Sequence, residues 1–180
     1  MFYLYSTNYI IMNLNELKDK YKKAHEAYLK YKDNNRTNSI EASYLPEVVA
    51  LLKDVFPNCN IITLGDNILN YLGIDIIIDD NGKQQMFLDL KVCQYCHDKE
   101  VVIDAYKHDK NGNWFPAQDV KLNDWFCFLN ADNIILVPSS FIKIPPMDQC
   151  FFYKRDLYKT TMKATIDLSN VRKRVFKRTH

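Results

Sequence analysis

"GIDIIIDDNGKQQMFLDLKV", residues Gly73 to Val92, holds two apolar runs on either side of a turn. Successive side chains of a β-strand point to opposite faces. Ile74, Ile76 and Ile78 therefore share one face of a first strand, and Met86, Leu88, Leu90 and Val92 share one face of a second. Both sets are wholly apolar, so both line the same core layer. Asp75, Asp89 and Lys91 fall together on the other face, three charges inside strand-forming sequence. Directly opposed residues of a hairpin share a face, so their numbers sum to an even value. A two-residue Asn81-Gly82 turn breaks that parity. A three-residue loop, Asp80-Asn81-Gly82, keeps it, sets residue 75 opposite residue 87, and puts glycine where a left-handed residue is needed. Asp89 then lies diagonal to Asp75, close enough for both carboxylates to reach one cation.

Outward from the hairpin, Leu14, Leu17, Tyr21, Ala24, Tyr28 and Tyr31 recur at helical spacing, which predicts a helix over about 13–32 capped by Asn13. The polar run "KDNNRTNS" breaks it. A second helix follows and ends near Phe56, before Pro57, with Pro46 marking its start or a bend. Strands are expected at "CNIITL", at Tyr71 to Ile78, at Gln85 to Val92 and at "EVVIDAYK". A later pair, "WFCFL" and "NIILVP", is separated by the turn-type sequence "NADN". This order predicts one domain over 1–180 of the α/β (α+β) class, built on a central mixed β-sheet flanked by helices.

Composition agrees with a packed globular chain. Of 180 residues, 47% are hydrophobic and 13% aromatic, with only 4 Gly and 6 Pro. The net charge of +2 says little about partners. Its distribution says more. The segment of about 168–180 has no acid and carries Arg172, Lys173, Arg174, Lys177 and Arg178, a basic tail that suits a polyanion or simply a solvated end. No stretch has the length of a membrane span, and the opening "MFYLYSTNYIIM" lacks a basic leader and a small-residue cleavage site. Five cysteines are an odd number and a sparse one. They read as reduced thiols, hence a cytoplasmic, intracellular protein with no membrane partner.

The succession Gly73-Ile74-Asp75, a hairpin and Asp89-Leu90-Lys91 resembles the PD-(D/E)XK nuclease superfamily, which includes restriction endonucleases and Holliday-junction resolvases. The resemblance covers about Asn38 to Tyr95, and Ile74 stands where the first motif often has proline. It implies a restriction-endonuclease-like core and Mg²⁺-dependent cleavage of DNA, with Mn²⁺ as a substitute. Asp75 and Asp89 would be metal ligands, and Lys91 would position a water or stabilise charge on the phosphoryl group. The family's upstream helix supplies a glutamate. Glu47 is the first choice for it and Glu41 the alternative. Gln94 follows the lysine as a glutamine does in many relatives, and so becomes a candidate substrate contact. Cutting two strands with so small a chain implies a homodimer.

The chemistry stands without the resemblance. Hard carboxylate oxygens suit Mg²⁺, which lowers the pKa of a bound water and neutralises phosphoryl charge. Lys107 and His108 could reach a phosphate from the fourth strand, or sit on a surface loop. All these side chains lie off the apolar face, so their replacement is expected to leave the fold intact. Cys93-x-x-Cys96 with His97 has part of a zinc pattern that Cys127 and Cys150 could complete. There is no second CxxC, and residues three apart on a strand point to opposite faces, so buried free thiols are the expectation. Two other readings stay open: a catalytically inactive nucleic-acid- or protein-binding member of the same fold, and a cysteine-based zinc or iron–sulfur interaction module.

Overall fold

The structure is a computed structural model that describes residues 18–20, 22, 40–64, 69, 72–92, 98–108, 111–152 and 161–178. Its elements are α1 (Ile40–Val55), β1 (Asn60–Thr63), β2 (Ile76–Asp79), β3 (Gln85–Val92), β4 (Glu100–His108), β5 (Trp114–Pro116), β6 (Trp125–Leu129), β7 (Asn133–Pro138), β8 (Thr161–Asp167) and β9 (Arg174–Lys177). Residues 18–20 and 22 are helical, and the rest of the helix expected over about 13–32 lies outside the described residues. Pro46 sits inside α1 and neither starts nor ends it.

Six strands form the main sheet in the order β1-β2-β3-β6-β7-β9. β1, β2 and β3 are an antiparallel meander, β3 and β6 run parallel, and β6, β7 and β9 are antiparallel. The sheet is therefore mixed, and the chain is α+β. β4, β5 and β8 make a second sheet in the order β5-β4-β8. The crossover from β3 to β6 runs through β4 and β5 of that second sheet.

The two faces of the main sheet bury different cores. On one, Val48 and Leu52 of α1 pack on Ile76, Ile78, Met86, Leu88, Leu90, Cys127, Leu129, Ile134 and Leu136. On the other, Phe126, Phe128, Ile135 and Val137 meet Val101, Ile103 and Ala105 of β4 and Ala164 and Ile166 of β8. Among the described residues, α1 covers one face and a three-stranded sheet the other. The reason is local. Val101, Ile103 and Ala105 are buried while Val102 and Asp104 between them are half-buried, a period of two that a helix cannot present to a core.

The hairpin keeps the predicted faces but not the predicted register. Ile76 pairs with Leu88, Ile77 with Phe87 and Ile78 with Met86. The turn is built on Asn81 (φ 50°) and Gly82 (φ 78°), both left-handed, and Lys83 N donates to Asp80 O at 2.9 Å. Asp80 N then donates to Gln84 O, so Lys83 is one extra residue on the return strand. A tight two-residue turn plus one bulged residue satisfies parity as the three-residue loop would, two positions further along.

The basic segment is not a solvated tail. β9 pairs with Asn133 to Leu136 of β7, and Arg178 N donates to Asp132 O at 2.8 Å. No described helix is long and apolar enough to cross a membrane.

Candidate active site

Asp89 and Lys91 alternate with Leu88 and Leu90 along β3, and they stand beside Phe126 and Phe128 in the parallel ladder. Leu88 and Leu90 belong to the α1 core, Phe126 and Phe128 to the core between the sheets. The two charges therefore face the second sheet. Asp89 is not merely off the apolar face. It is 1% exposed.

Asp75 precedes β2, just after Gly73 turns the chain in the left-handed region (φ 73°). Extending the β2–β3 register by one residue sets Asp75 opposite Asp89, not diagonal to it. There it replaces the regular ladder. Asp75 N donates to Leu88 O at 2.9 Å, and Leu90 N donates to Asp75 Oδ2 at 2.7 Å. Asp75 thus brackets Asp89 from the neighbouring strand.

The buried carboxylate is held by two ammonium groups. Lys91 Nζ donates to Asp89 Oδ1 at 2.6 Å and to Leu90 O at 3.1 Å. Lys121 Nζ lies 3.0 Å from Asp89 Oδ2 but off the direction of a hydrogen bond. That oxygen has an ion contact and no aligned donor. Burial alone would push the Asp89 pKa up; Lys121 and Lys91 outweigh it and hold it at about 2. Burial works against the Lys91 charge too, yet Asp89, then Glu41, Asp75 and Asp104, hold its pKa above the usual lysine range. Lys121 goes the other way. Its burial is only partly offset by Asp89, and Lys91 and Lys107 repel it, so its pKa is lowered.

A second acid extends the cluster from β4. Asp104 is paired with Lys163 of β8 and lies 3.6 Å from Lys107 Nζ. Burial opposes its charge, but Lys107, Lys163 and Lys91 keep its pKa well below the carboxylate range. Asp104 sits where the β4–β8 ladder slips by one residue, between Asp104 and Tyr106.

The candidates named from sequence separate accordingly. Asp75, Asp89, Lys91 and Lys107 come together. The His108 ring meets Trp114 edge-on at 5.2 Å. Gln94 lies outside the described residues, as do Cys93, Cys96 and His97. Glu47 is corrected. Its carboxylate binds Arg178 through Nε at 2.5 Å and Nη2 at 2.8 Å, tying α1 to the end of β9. Glu41, in the first turn of α1, is the helix glutamate whose charge reaches Lys91. The two acids are six residues apart, about 120° around a helix, and so lie on different parts of its surface.

Lys121 and Asp104 are members of the charged cluster that sequence reasoning missed. Lys121 comes from the loop before β6, thirty positions from Lys91, and no strand periodicity reaches it. Gly73 was the available signal. A Cβ there would stand 2.5 Å from Lys121 Cδ and 3.1 Å from its Nζ, so the lysine reaches Asp89 across a glycine. Lys20 Nζ donates to Lys121 O at 3.1 Å and fixes the same loop from the N-terminal side.

Cys127 belongs to the α1 core, and its thiol pKa is pushed up by burial and by Asp75 and Asp89. Cys59, Cys127 and Cys150 are free. Among the described residues, no three His, Cys, Asp or Glu side chains converge as a ready metal-binding group. No protein-family model matches the chain, and neither a curated protein nor a solved structure is similar to it.

Proposed function

We propose that this chain is a metal-dependent nuclease with a restriction-endonuclease-like core, hydrolysing phosphodiester bonds in DNA. The observation that carries the reading is the pair Asp75 and Asp89 on adjoining strands, with Lys91 on Asp89 and one buried Asp89 oxygen lacking an aligned donor. The order of elements supports it: α1, an antiparallel β1-β2-β3 meander, then β6 parallel to β3.

Asp89 Oδ2 and the Asp75 carboxylate are hard oxygen donors, the ligand type that Mg²⁺ or Mn²⁺ takes, and Glu41 is the acid that would complete the set. A bound ion there would supply an acidified water and neutralise charge on the phosphoryl group. Lys91, kept charged by four acids, stabilises negative charge on that phosphoryl group. Lys121 balances Asp89 in the absence of an ion and must yield Oδ2 to one. Lys107 supplies further positive charge on the β4 side. A homodimer would bring two such centres to the two strands of a duplex.

A second reading has its own support. Both oxygens of Asp89 face lysines and Asp104 is likewise neutralised, so the cluster is balanced without an ion. That suits an inactive nucleic-acid-binding protein. Incubation of the purified chain with duplex, single-stranded and branched DNA, with Mg²⁺, Mn²⁺ or EDTA, separates the two. The nuclease reading expects cleavage that needs the metal and falls on the order of 10²–10³-fold in Lys91→Ala. It also expects Glu41→Ala to cost more than Glu47→Ala. Wild type that cuts nothing, or Lys91→Ala that cuts equally well, refutes it.

A further inference from the structure

Away from the charged cluster, two clefts of about 540 and 230 Å³ adjoin along one side of the molecule and share Ser140, Phe141 and Arg172. The first also has Lys143, the second Trp125 and Arg174. Phe141 stands between them with 45% of its surface exposed. Its exposure is imposed by the chain on either side. Ser139 Oγ lies 2.7 and 2.8 Å from Asn123 O and Asp124 O, with one proton to share between them, and Ile142 is buried in the core between the sheets. The Phe141 backbone is thus held from both sides. The basic side is fixed too. Lys173 Nζ donates to Asp98 O at 2.5 Å and Leu168 O at 2.8 Å, anchoring the turn that carries Arg172, and the Arg174 guanidinium lies 6.0 Å from the centre of the Trp125 ring.

The acids along these clefts are already engaged. Asp167 accepts from Ser169 N at 2.8 Å, and Asp124 accepts from Phe87 N at 3.2 Å. Against these two carboxylates the clefts carry Lys143, Arg172, Lys173 and Arg174, so the surface is net positive, and the exposed Phe141 interrupts it. An exposed ring among cations matches an unpaired nucleotide, whose base stacks while its phosphates meet positive charge.

We propose that these clefts bind an unpaired stretch of nucleic acid, with one base stacked on Phe141 and the flanking phosphates on Lys143 and Arg172. This rests on the nucleic-acid reading above and not on catalysis. It places a strand-gripping surface apart from Asp89, joined to it through the loop that carries both Lys121 and Asp124.

Fluorescence anisotropy of a fluorescein-labelled oligothymidylate, in EDTA so that nothing is cut, tests it. Wild type should bind, and Phe141→Ala should weaken binding on the order of tenfold. Arg172→Gln should lower the slope of log K against log salt by about 0.7. Phe141 is exposed and Arg172 lies at the surface, so thermal melts should show both variants folded. Heparin has charge but no base, and its affinity should be unchanged in Phe141→Ala. No binding of the oligothymidylate, equal binding by Phe141→Ala, or an equal loss of heparin binding overturns the proposal. Strand binding without cleavage would refute the nuclease and leave this surface standing; cleavage with an unaffected Phe141→Ala would do the reverse.

Discussion

Replacing Asp89 with Asn removes one charge at nearly constant volume and leaves two ammonium groups without their shared partner. Lys91 has an escape. Its side chain is 18% exposed, and Glu41, Asp75 and Asp104 also act on it. Lys121 has less, being 8% exposed and wedged against Gly73, with Asp104 acting on it more weakly than Asp89. Removing one partner of a buried ion pair costs about 3–5 kcal/mol, because the remaining charge stays buried. The drop of the Asp89 pKa from its ordinary 3.8 to about 2 corresponds to about 2 kcal/mol of favourable interaction in the folded state. The larger figure adds the cost of the stranded lysine. Asp89→Asn should therefore lose about 3–5 kcal/mol in urea unfolding at neutral pH, and Asp89→Asn with Lys121→Met should regain much of it. The pH dependence follows. In wild type the folded-state pKa of Asp89 is depressed, so its contribution is present above 3.8 and is lost as pH falls through about 2. In Asp89→Asn the Lys121 pKa is lowered further, so the unfolded chain holds more protons and stability rises as pH climbs toward 10.5. A loss below about 1 kcal/mol, or a double variant no more stable than Asp89→Asn, refutes the claim that this carboxylate is the counter-ion of a trapped lysine. This also revises the expectation that site residues can be replaced without cost to the fold.

Gly73 and Gly82 both need left-handed backbone, but only Gly73 has a neighbour in the way. Gly82→Ala should cost about 1–2 kcal/mol of backbone strain, and Gly73→Ala distinctly more, read as melting temperatures; equal losses would mean that Lys121 is not held against Gly73. Arg178→Ala removes both bonds to Glu47 and those to Asn130 O and Ala131 O. Amide exchange in Arg174–Lys177 should then speed up while β3 stays protected, and unchanged protection of β9 would show that the pairing does not hold the strand.

The hairpin was legible because its information is local. Period-two alternation over Gly73 to Val92 fixed which side chains are inward. It put Ile76 and Leu90 in one core and Asp89 and Lys91 on the other face, and the even-sum rule survived although the register moved. The later pair "WFCFL" and "NIILVP" emerged at those bounds for the same reason. Sequence could not choose between Glu41 and Glu47, since both lie on one helix, and the choice depends on how α1 sits on the sheet and on Arg178, 131 positions away. Nor could it tell a solvated basic tail from an edge strand, because β9 gains its hydrogen bonds only from β7. Above all it could not see burial. A charged residue on the non-core face of a strand reads as wet until a second sheet closes over it. Here β4 and β8 supply that cover, and the loop before β6 brings Lys121 across Gly73 to Asp89. Local alternation set which residues share a face; only tertiary packing decided which of those charges would be buried, and against what partner.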